Sequence, residues 1–335
     1  MILPKAPDVS VIICAYANER WNDLVAAVES LQAQSVPPSE IIVVIDHNVS
    51  LLERTRAEIP GIIVSENLEQ QGLSGARNSG IALAGGALIA FLDDDAVAEP
   101  DWLALLSRHC VDPRVLGVGG AVIPRWPGAR PDWFPEEFYW VIGCTYRSLP
   151  RSLSIVRNPY GGCMCVRREV FEVAGKFKHE IGRIGKRPLG GEETELCIRA
   201  KWHWPQKIFL YEPHAKIHHC VPSSRTNWRY FLSRCYAEGL SKATVTRLVG
   251  AENGLACERV YALRALPLGI MRGIKDVALH GDAVGLLRAA AIVAGFASTM
   301  GGYITGSIFL HLAAQKRAIR MVSSFGQSLL QFPEN

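Results

Sequence analysis

The 335-residue chain has no Gly-x-Gly-x-x-Gly after its first strand-like run and no Gly-Lys-Ser/Thr phosphate loop. The first absence argues against a dinucleotide-binding Rossmann site and the second against a P-loop, since both need backbone glycines at the phosphates. Net charge is only +4, so charge gives no sign of a nucleic-acid footprint, and no nucleic-acid partner is expected. The nine cysteines lack paired metal spacing; Cys163-x-Cys165 has no second pair, and the odd total argues against a disulfide framework. That usage fits a reducing compartment. The start runs from Met1 through Pro4-Lys5 into a strand-like segment, without an evident cleavable leader.

Apolar residues make up 49% of the chain, enough for a substantial core and too many for general disorder. Residues 9–14 (VSVIIC), 41–45 and 62–64 are short apolar runs without helical period, which reads as buried strands. Between the first two, Leu24, Val25, Val28 and Leu31 mark one face of a helix that stops before Pro37-Pro38. Another helix follows Gly72 and carries Ile81, Ala82 and Leu83. Strands alternating with helices predict an α/β fold with a mostly parallel sheet. Tyr16, Asp46, Asn67 and the triplet Asp93-Asp94-Asp95 then stand at successive strand ends, the rim where open α/β sheets place ligands.

The triplet carries most of the chemistry. It follows the apolar run 87–92, and three adjacent carboxylates repel one another unless a cation neutralises them. A hard divalent ion bridging to phosphate oxygens is one reason for such a cluster. A helix N-cap is the other, since Glu99-Pro100-Asp101-Trp102 opens a helix-like segment, but a cap needs one Asp. A second acidic cluster, Gly190-Gly191-Glu192-Glu193-Thr194-Glu195, enters a helix. It serves either the helix dipole or, given the glycine pair, a ligand that approaches closely.

Further on, Trp133, Phe134, Phe138, Tyr139, Trp140 and Tyr146 read as core or lid packing or as a sugar-stacking surface. Residues 208–211 and 215–217 look like two strands, ending at His218-His219. Arg225, Trp228-Arg229-Tyr230 and Arg234 form a basic, aromatic stretch, suited either to packing on the domain or to gripping an anionic acceptor. Residues 289–310 contain no charge, which is the length of a bilayer span or of a buried helix, and Gly302-x-x-x-Gly306 suits close helix–helix contact in a membrane. Residues 260–279 read as an interfacial amphipathic helix.

The ordered series of motifs resembles the family 2 glycosyltransferases. The series comprises Ala15-Tyr16-Ala17-Asn18-Glu19, Ile45-Asp46-His47-Asn48, Asn67 with Gly72 and Ala76-Arg77-Asn78-x-Gly80, the Asp-x-Asp at Asp93 to Asp95, Glu192-Glu193, and Pro213 to His219. The likeness covers roughly residues 8–222. It implies a GT-A fold, a mixed, mostly parallel sheet flanked by helices, in a catalytic domain over 1–222. A helical, membrane-associating region follows over 223–335, with a candidate span at 289–312. It implies inverting transfer from a nucleoside-diphosphate sugar, with uridine expected, to a hydroxyl acceptor, lipid-linked or part of a glycan. The cofactor would be Mn²⁺ or Mg²⁺. Ala15, Tyr16, Glu19, Asp46, Asn67, Arg77, Asp93 and Asp94 would hold the nucleotide, and Asp95, Asp93 and His219 the metal. Glu193 would be the base with Glu192 assisting, although Glu195 also stands near in sequence. The expected location is the cytoplasmic face of a membrane, peripheral or single-span. The rivals are a nucleotidyltransferase with the same carboxylate rim and a non-catalytic anchored binding protein.

Overall fold

The computed structural model describes residues 8–126, 128–183 and 188–329; the leader-free start read at residues 1–7 lies outside them. The alternation read from the sequence is present: β1 (Val9–Ala15), α1 (Trp21–Gln32), β2 (Glu40–Ile45), α2 (Val49–Glu58), β3 (Ile63–Glu66), α3 (Leu73–Leu83) and β4 (Leu88–Asp93). After β5 (Ala96–Ala98) and α4 (Trp102–Ser107) come β6 (Val115–Arg125), β7 (Ser154–Val156), β8 (Cys163–Arg167), α5 (Arg168–Val173), α6 (Glu192–His203) and β9 (Ile208–Cys220). One sheet runs β3-β2-β1-β4-β8-β6-β9-β5, with β7 also paired to β9. β1 to β4 pair in parallel, as expected for strands linked by crossover helices. Beyond them the sheet is mixed: β8 runs antiparallel to both β4 and β6, while β6 and β9 are parallel.

Period-2 alternation along β1 sends Val11 and Ile13 to a core shared with α1 and α4, and Ile12 to a second core under α3 and α6. Residues 208–220 form one strand where the sequence suggests two. The apparent break is a bulge, because Gly120 pairs with Glu212 while the next residue, Ala121, pairs with Lys216. Gly120 permits it, since a Cβ there would lie 2.1 Å from the Ala215 carbonyl oxygen. Glu212 fixes the bulge by accepting from Arg108 Nη2 at 2.8 Å and facing His109 Nε2 at 2.9 Å. β6 itself is hidden in the sequence because Gly117, Gly119 and Gly120 dilute its apolar pattern.

The C-terminal part is helical: α7 (Trp228–Val249), the short α8 (Ala251–Gly254) and α9 (Ala256–Val260), a π-helical turn Tyr261–Ala265, α10 (Leu266–His280) and α11 (Val284–Leu329). Phe231, Cys235, Leu266, Ala291 and Ile292 belong to the same buried cluster as Val11 and Leu92, so the core continues across residue 222. The aromatic stretch is mainly core: Phe134 and Phe138 are fully buried, and Trp133 stacks on Trp228 of α7 at 4.3 Å between centroids. The Gly302/Gly306 pair is used inside the chain. A Cβ on Gly302 would sit 2.0 Å from the Tyr236 carbonyl oxygen, and one on Gly239 would sit 2.0 Å from the Thr299 oxygen, so α7 and α11 cross backbone to backbone.

Candidate active site

The parallel strands deliver their C-terminal residues to one rim of a cavity of about 790 Å³. Ala15, Tyr16, Asp46, Arg77, Asp93, Asp94, Asp95 and His219 line it, and Glu192 and Glu193 enter from the start of α6. Glu19 and Asn67 do not line it. Glu19 is solvent-exposed, whereas Asn67 is buried and works through Asp46, to which its Nδ2 donates at 2.7 Å. The Gly72 N–H donates to the other Asp46 oxygen at 2.9 Å, and His47 Nδ1 stands 2.9 Å from the first. The Asp46 carboxylate is thus fixed, with a lone pair of Oδ2 left for a ligand donor. His47 reaches it from a left-handed backbone, φ 52°, uncommon for a non-glycine residue and of the kind found where a site imposes geometry.

The aspartate triplet ends β4 at Asp93 and makes the turn into β5, so it is not the cap of α4. Each member has a different environment. Asp93 is the open one, with a side chain 43% exposed. It sits against Gly162, where a Cβ would come 2.1 Å from Asp93 Oδ2. Asp94 is buried and accepts from Arg20 Nη1 at 2.7 Å; its Oδ2 has no partner among the described residues. Burial and then Asp95 push its pKa up to about 7, against the pull of Arg20. Asp95 faces His219 Nδ1 at 2.9 Å, Arg20 Nη1 at 3.0 Å and Arg225 Nη2 at 3.9 Å. Burial raises its carboxyl, but His219, Arg20 and Arg225 outweigh burial and hold it below the usual carboxylate range. Arg225 Nη1 lies 3.2 Å from His219 Nε2, so both His219 nitrogens are engaged.

At the start of α6 the three glutamates separate by partner. Glu195 is buried in a bidentate pair with Arg199, 2.7 Å on each oxygen, and does not line the cavity. Glu192 accepts from Arg77 Nη1 at 2.9 Å and leaves Oε2 buried without a partner among the described residues. Glu193 is half-buried, lines the cavity and has no cation at ion-pair distance among the described residues. Burial, then the Glu192 charge, push it up to about 7 despite Arg77 and Lys242. Arg77 joins the two acidic clusters. It is buried between Phe91 and Phe177, 5.5 Å from each ring centroid, and reaches Asp93 Oδ1 at 3.7 Å as well as Glu192.

Arg20 is the residue the sequence reading passes over, though it directly follows the Tyr16–Glu19 motif. Its role becomes visible only when the turn before α1 meets the triplet, 74 residues away in sequence. Among the described residues no three His, Cys, Asp or Glu side chains form a ready cage for a cation. The set present, with an open Asp93 and an orphaned Asp94 oxygen, fits an ion that takes one or two carboxylates and completes its shell from substrate phosphates.

The pattern that defines glycosyl transferase family 2 matches residues 10–175. A glucosyl-dolichyl phosphate glucuronosyltransferase of Haloferax volcanii is 34% identical over 244 residues, 72% of this chain and 78% of that protein. The chain belongs to glycosyl transferase family 2. A succinoglycan biosynthesis protein of Rhizobium meliloti, ExoM, is 25% identical over 311 residues, 82% of this chain and 96% of its own length. Among solved structures, a mannosyltransferase of Pyrobaculum calidifontis in complex with GDP-Man and Mn²⁺ superposes with a TM-score of 0.57. It is 19% identical and the match covers 92% of this chain and 88% of that one. That likeness shows the fold, a GT-A-like mixed sheet flanked by helices. Membership makes the chain a glycosyl-transferring enzyme, not a non-catalytic scaffold.

Proposed function

We propose that this enzyme moves a sugar from a uridine diphosphate donor to a hydroxyl acceptor with inversion at the anomeric carbon. One observation carries the reading. A single cavity is lined by carboxylates and cations at the strand ends and, at the start of α6, by a carboxylate, Glu193, with no cation at ion-pair distance among the described residues. Tyr16 and the fixed Asp46 would hold the base, and Asp93 and Asp94 the ribose and diphosphate. Asp93 and the unpartnered Asp94 oxygen, with Asp95 and His219 if they exchange Arg20 and Arg225 for the ion, would hold Mn²⁺ or Mg²⁺. When bound, that ion supplies charge stabilisation to the leaving diphosphate.

Glu193 takes the acceptor hydroxyl proton as the oxygen bonds to the anomeric carbon, and the bond from that carbon to the diphosphate oxygen breaks with its electron pair. A base near pKa 7 is well matched to this task at neutral pH. Glu192, pinned by Arg77, keeps the first turn of α6 in register with Asp93. Glu195 is left to structure.

The acceptor is proposed to be presented at a membrane, with the enzyme on the cytoplasmic face. Val284–Lys316 of α11 is long and apolar enough to cross a bilayer. Its face through Gly295, Gly302 and Gly306 packs on α7 and on Phe138, however, so lipid does not surround residues 295–306. Leu263, Leu268 and Ile274 before and on α10 are exposed, as are Ile304 and Ile308 on α11, and the cations Arg259, Arg264 and Lys275 flank them. This supports peripheral seating on an anionic surface over a lone span. The test is a panel of nucleotide sugars with purified full-length protein in nonionic detergent, with and without Mn²⁺. Uridine diphosphate release that needs the ion supports the reading; transfer of a nucleotidyl group overturns it.

A further inference from the structure

The cavity does not end at Glu193. It continues to the inner face of α7, where Arg234, Glu238 and Lys242 stand one helical turn apart. Their side chains are only 16%, 17% and 14% exposed. Ions buried in a row beside an apolar helix are costly to keep unless each is paired or used.

The two carboxylates of this network are consumed internally. Glu238 takes Arg234 Nη1 at 2.9 Å and Lys242 Nζ at 3.3 Å. Glu258 takes Lys242 at 2.7 Å and both terminal nitrogens of Arg157, at 2.7 and 2.8 Å. Three cations therefore share two acids. Arg157 is fully committed, because its Nε also donates to Asn158 at 2.9 Å. Arg234 is not. Among the described residues only its Nη1 donates to a partner, while Nη2 lies 3.6 Å from where a Cβ on Gly190 would be. Gly190 opens the turn that leads into Glu192-Glu193, so the free edge of the Arg234 guanidinium faces the cavity beside the proposed base. A planar fork with unused donors suits the oxygens of a phosphate.

The apolar lining beyond Arg234 gives the second half of the ligand. Leu266, Phe296, Met300 and Tyr303 form that part of the wall. Phe296 and Met300 are also 41% exposed, so they belong both to the cavity and to the outer apolar strip of α11. The cavity thus opens onto the surface on which the bilayer is proposed to sit.

We propose that this end of the cavity is an acceptor subsite for a phosphate-bearing lipid, its phosphate on Arg234 with Lys242 behind, and its chain leaving past Leu266, Phe296 and Met300. The acceptor hydroxyl, on a group that this phosphate carries, then reaches Glu193 while the lipid stays in the membrane. The assignment rests on the glycosyl-transfer reading and adds the acceptor's chemical class to it.

The test is calorimetric titration of the full chain in nonionic detergent with dodecyl phosphate, dodecanol and inorganic phosphate, for wild type, Arg234→Gln and Arg234→Lys. Dodecyl phosphate is expected to bind wild type at least about 10-fold more tightly than either dodecanol or inorganic phosphate. Arg234→Gln should weaken it by about 10- to 100-fold, the loss of a charge-assisted contact, with Arg234→Lys in between. Dodecanol binding as well as its phosphate overturns the proposal, as does inorganic phosphate binding as well as the lipid. Unchanged affinity in Arg234→Gln overturns it too. Uridine diphosphate binding, measured on the same samples, shows that each variant is folded. Its absence from the wild type counts against the donor assignment and leaves the lipid titration as a separate result.

Discussion

Replacing Glu193 by Gln should cost the enzyme its chemistry and make it more stable, and the two effects should follow pH in related ways. The carboxyl sits at about 7 in the folded protein, against an ordinary value of 4.5, because burial and then Glu192 disfavour its charge. The folded state therefore binds more protons than the unfolded state between those values. The Glu193 contribution to wild-type stability falls as pH rises from 4.5 to 7 and is flat above, the sign for a raised carboxylate. The ceiling on that loss is about 3 kcal/mol at 1.36 kcal/mol per pKa unit. Solvent in the cavity screens a half-buried group, so about 1–2 kcal/mol is the working figure. Gln cannot ionise, so Glu193→Gln should match wild type below pH 4.5 and melt about 2–5 °C higher above pH 7. Transfer should drop by about 10²–10⁴-fold, the usual contribution of a general base, with uridine diphosphate affinity kept. In the wild type, kcat/KM should rise with pH up to about 7 and then level. Differential scanning fluorimetry across pH 4–9 and a coupled assay of nucleotide release read both. Activity within tenfold of wild type, or a melting difference that does not change with pH, would refute the assignment.

Other outcomes follow from the same geometry. Gly162→Ala puts a methyl where Asp93 Oδ2 now sits, 2.1 Å away, and should displace that carboxylate. Transfer should fall at least about tenfold while stability changes by about 1 kcal/mol or less, because Asp93 is partly exposed and can rotate; unchanged kinetics would show that Asp93 is not needed where it stands. Chelation with EDTA should abolish transfer and lower nucleotide affinity, and Mn²⁺ or Mg²⁺ should restore both; full activity in EDTA would remove the ion from the reaction. Gly239→Ala forces apart backbones that meet at Thr299 and should lower stability by about 1–3 kcal/mol, seen as a lower melting temperature. An unchanged melting temperature would mean that α11 is not held tightly on α7.

The first four strands and the rim they carry are legible in the sequence because each is set locally. An apolar run makes a buried strand, the residue after it must sit at the strand's C-terminal edge, and parallel winding brings those edges together. Asp46, Asp93 and Tyr16 follow from that rule alone. The break read between residues 211 and 215 shows where the rule stops. Polar Glu212 and Pro213 interrupt the pattern, yet the strand continues because Gly120 on its neighbour makes room for a bulge.

Only the tertiary structure decides which charges meet. Residues 192, 193 and 195 are alike on paper, and their roles differ because Arg77, 115 residues from Glu192, claims one and Arg199 claims another. The same holds for the tail. Composition makes residues 289–310 long and apolar enough for a bilayer, but the glycines whose spacing suits a membrane partner pack on α7. Sequence determines what each segment can be, since propensity and period are local. Which carboxylate stays free to act, and which apolar face stays open to lipid, depends on partners that are distant in the chain and adjacent only after folding.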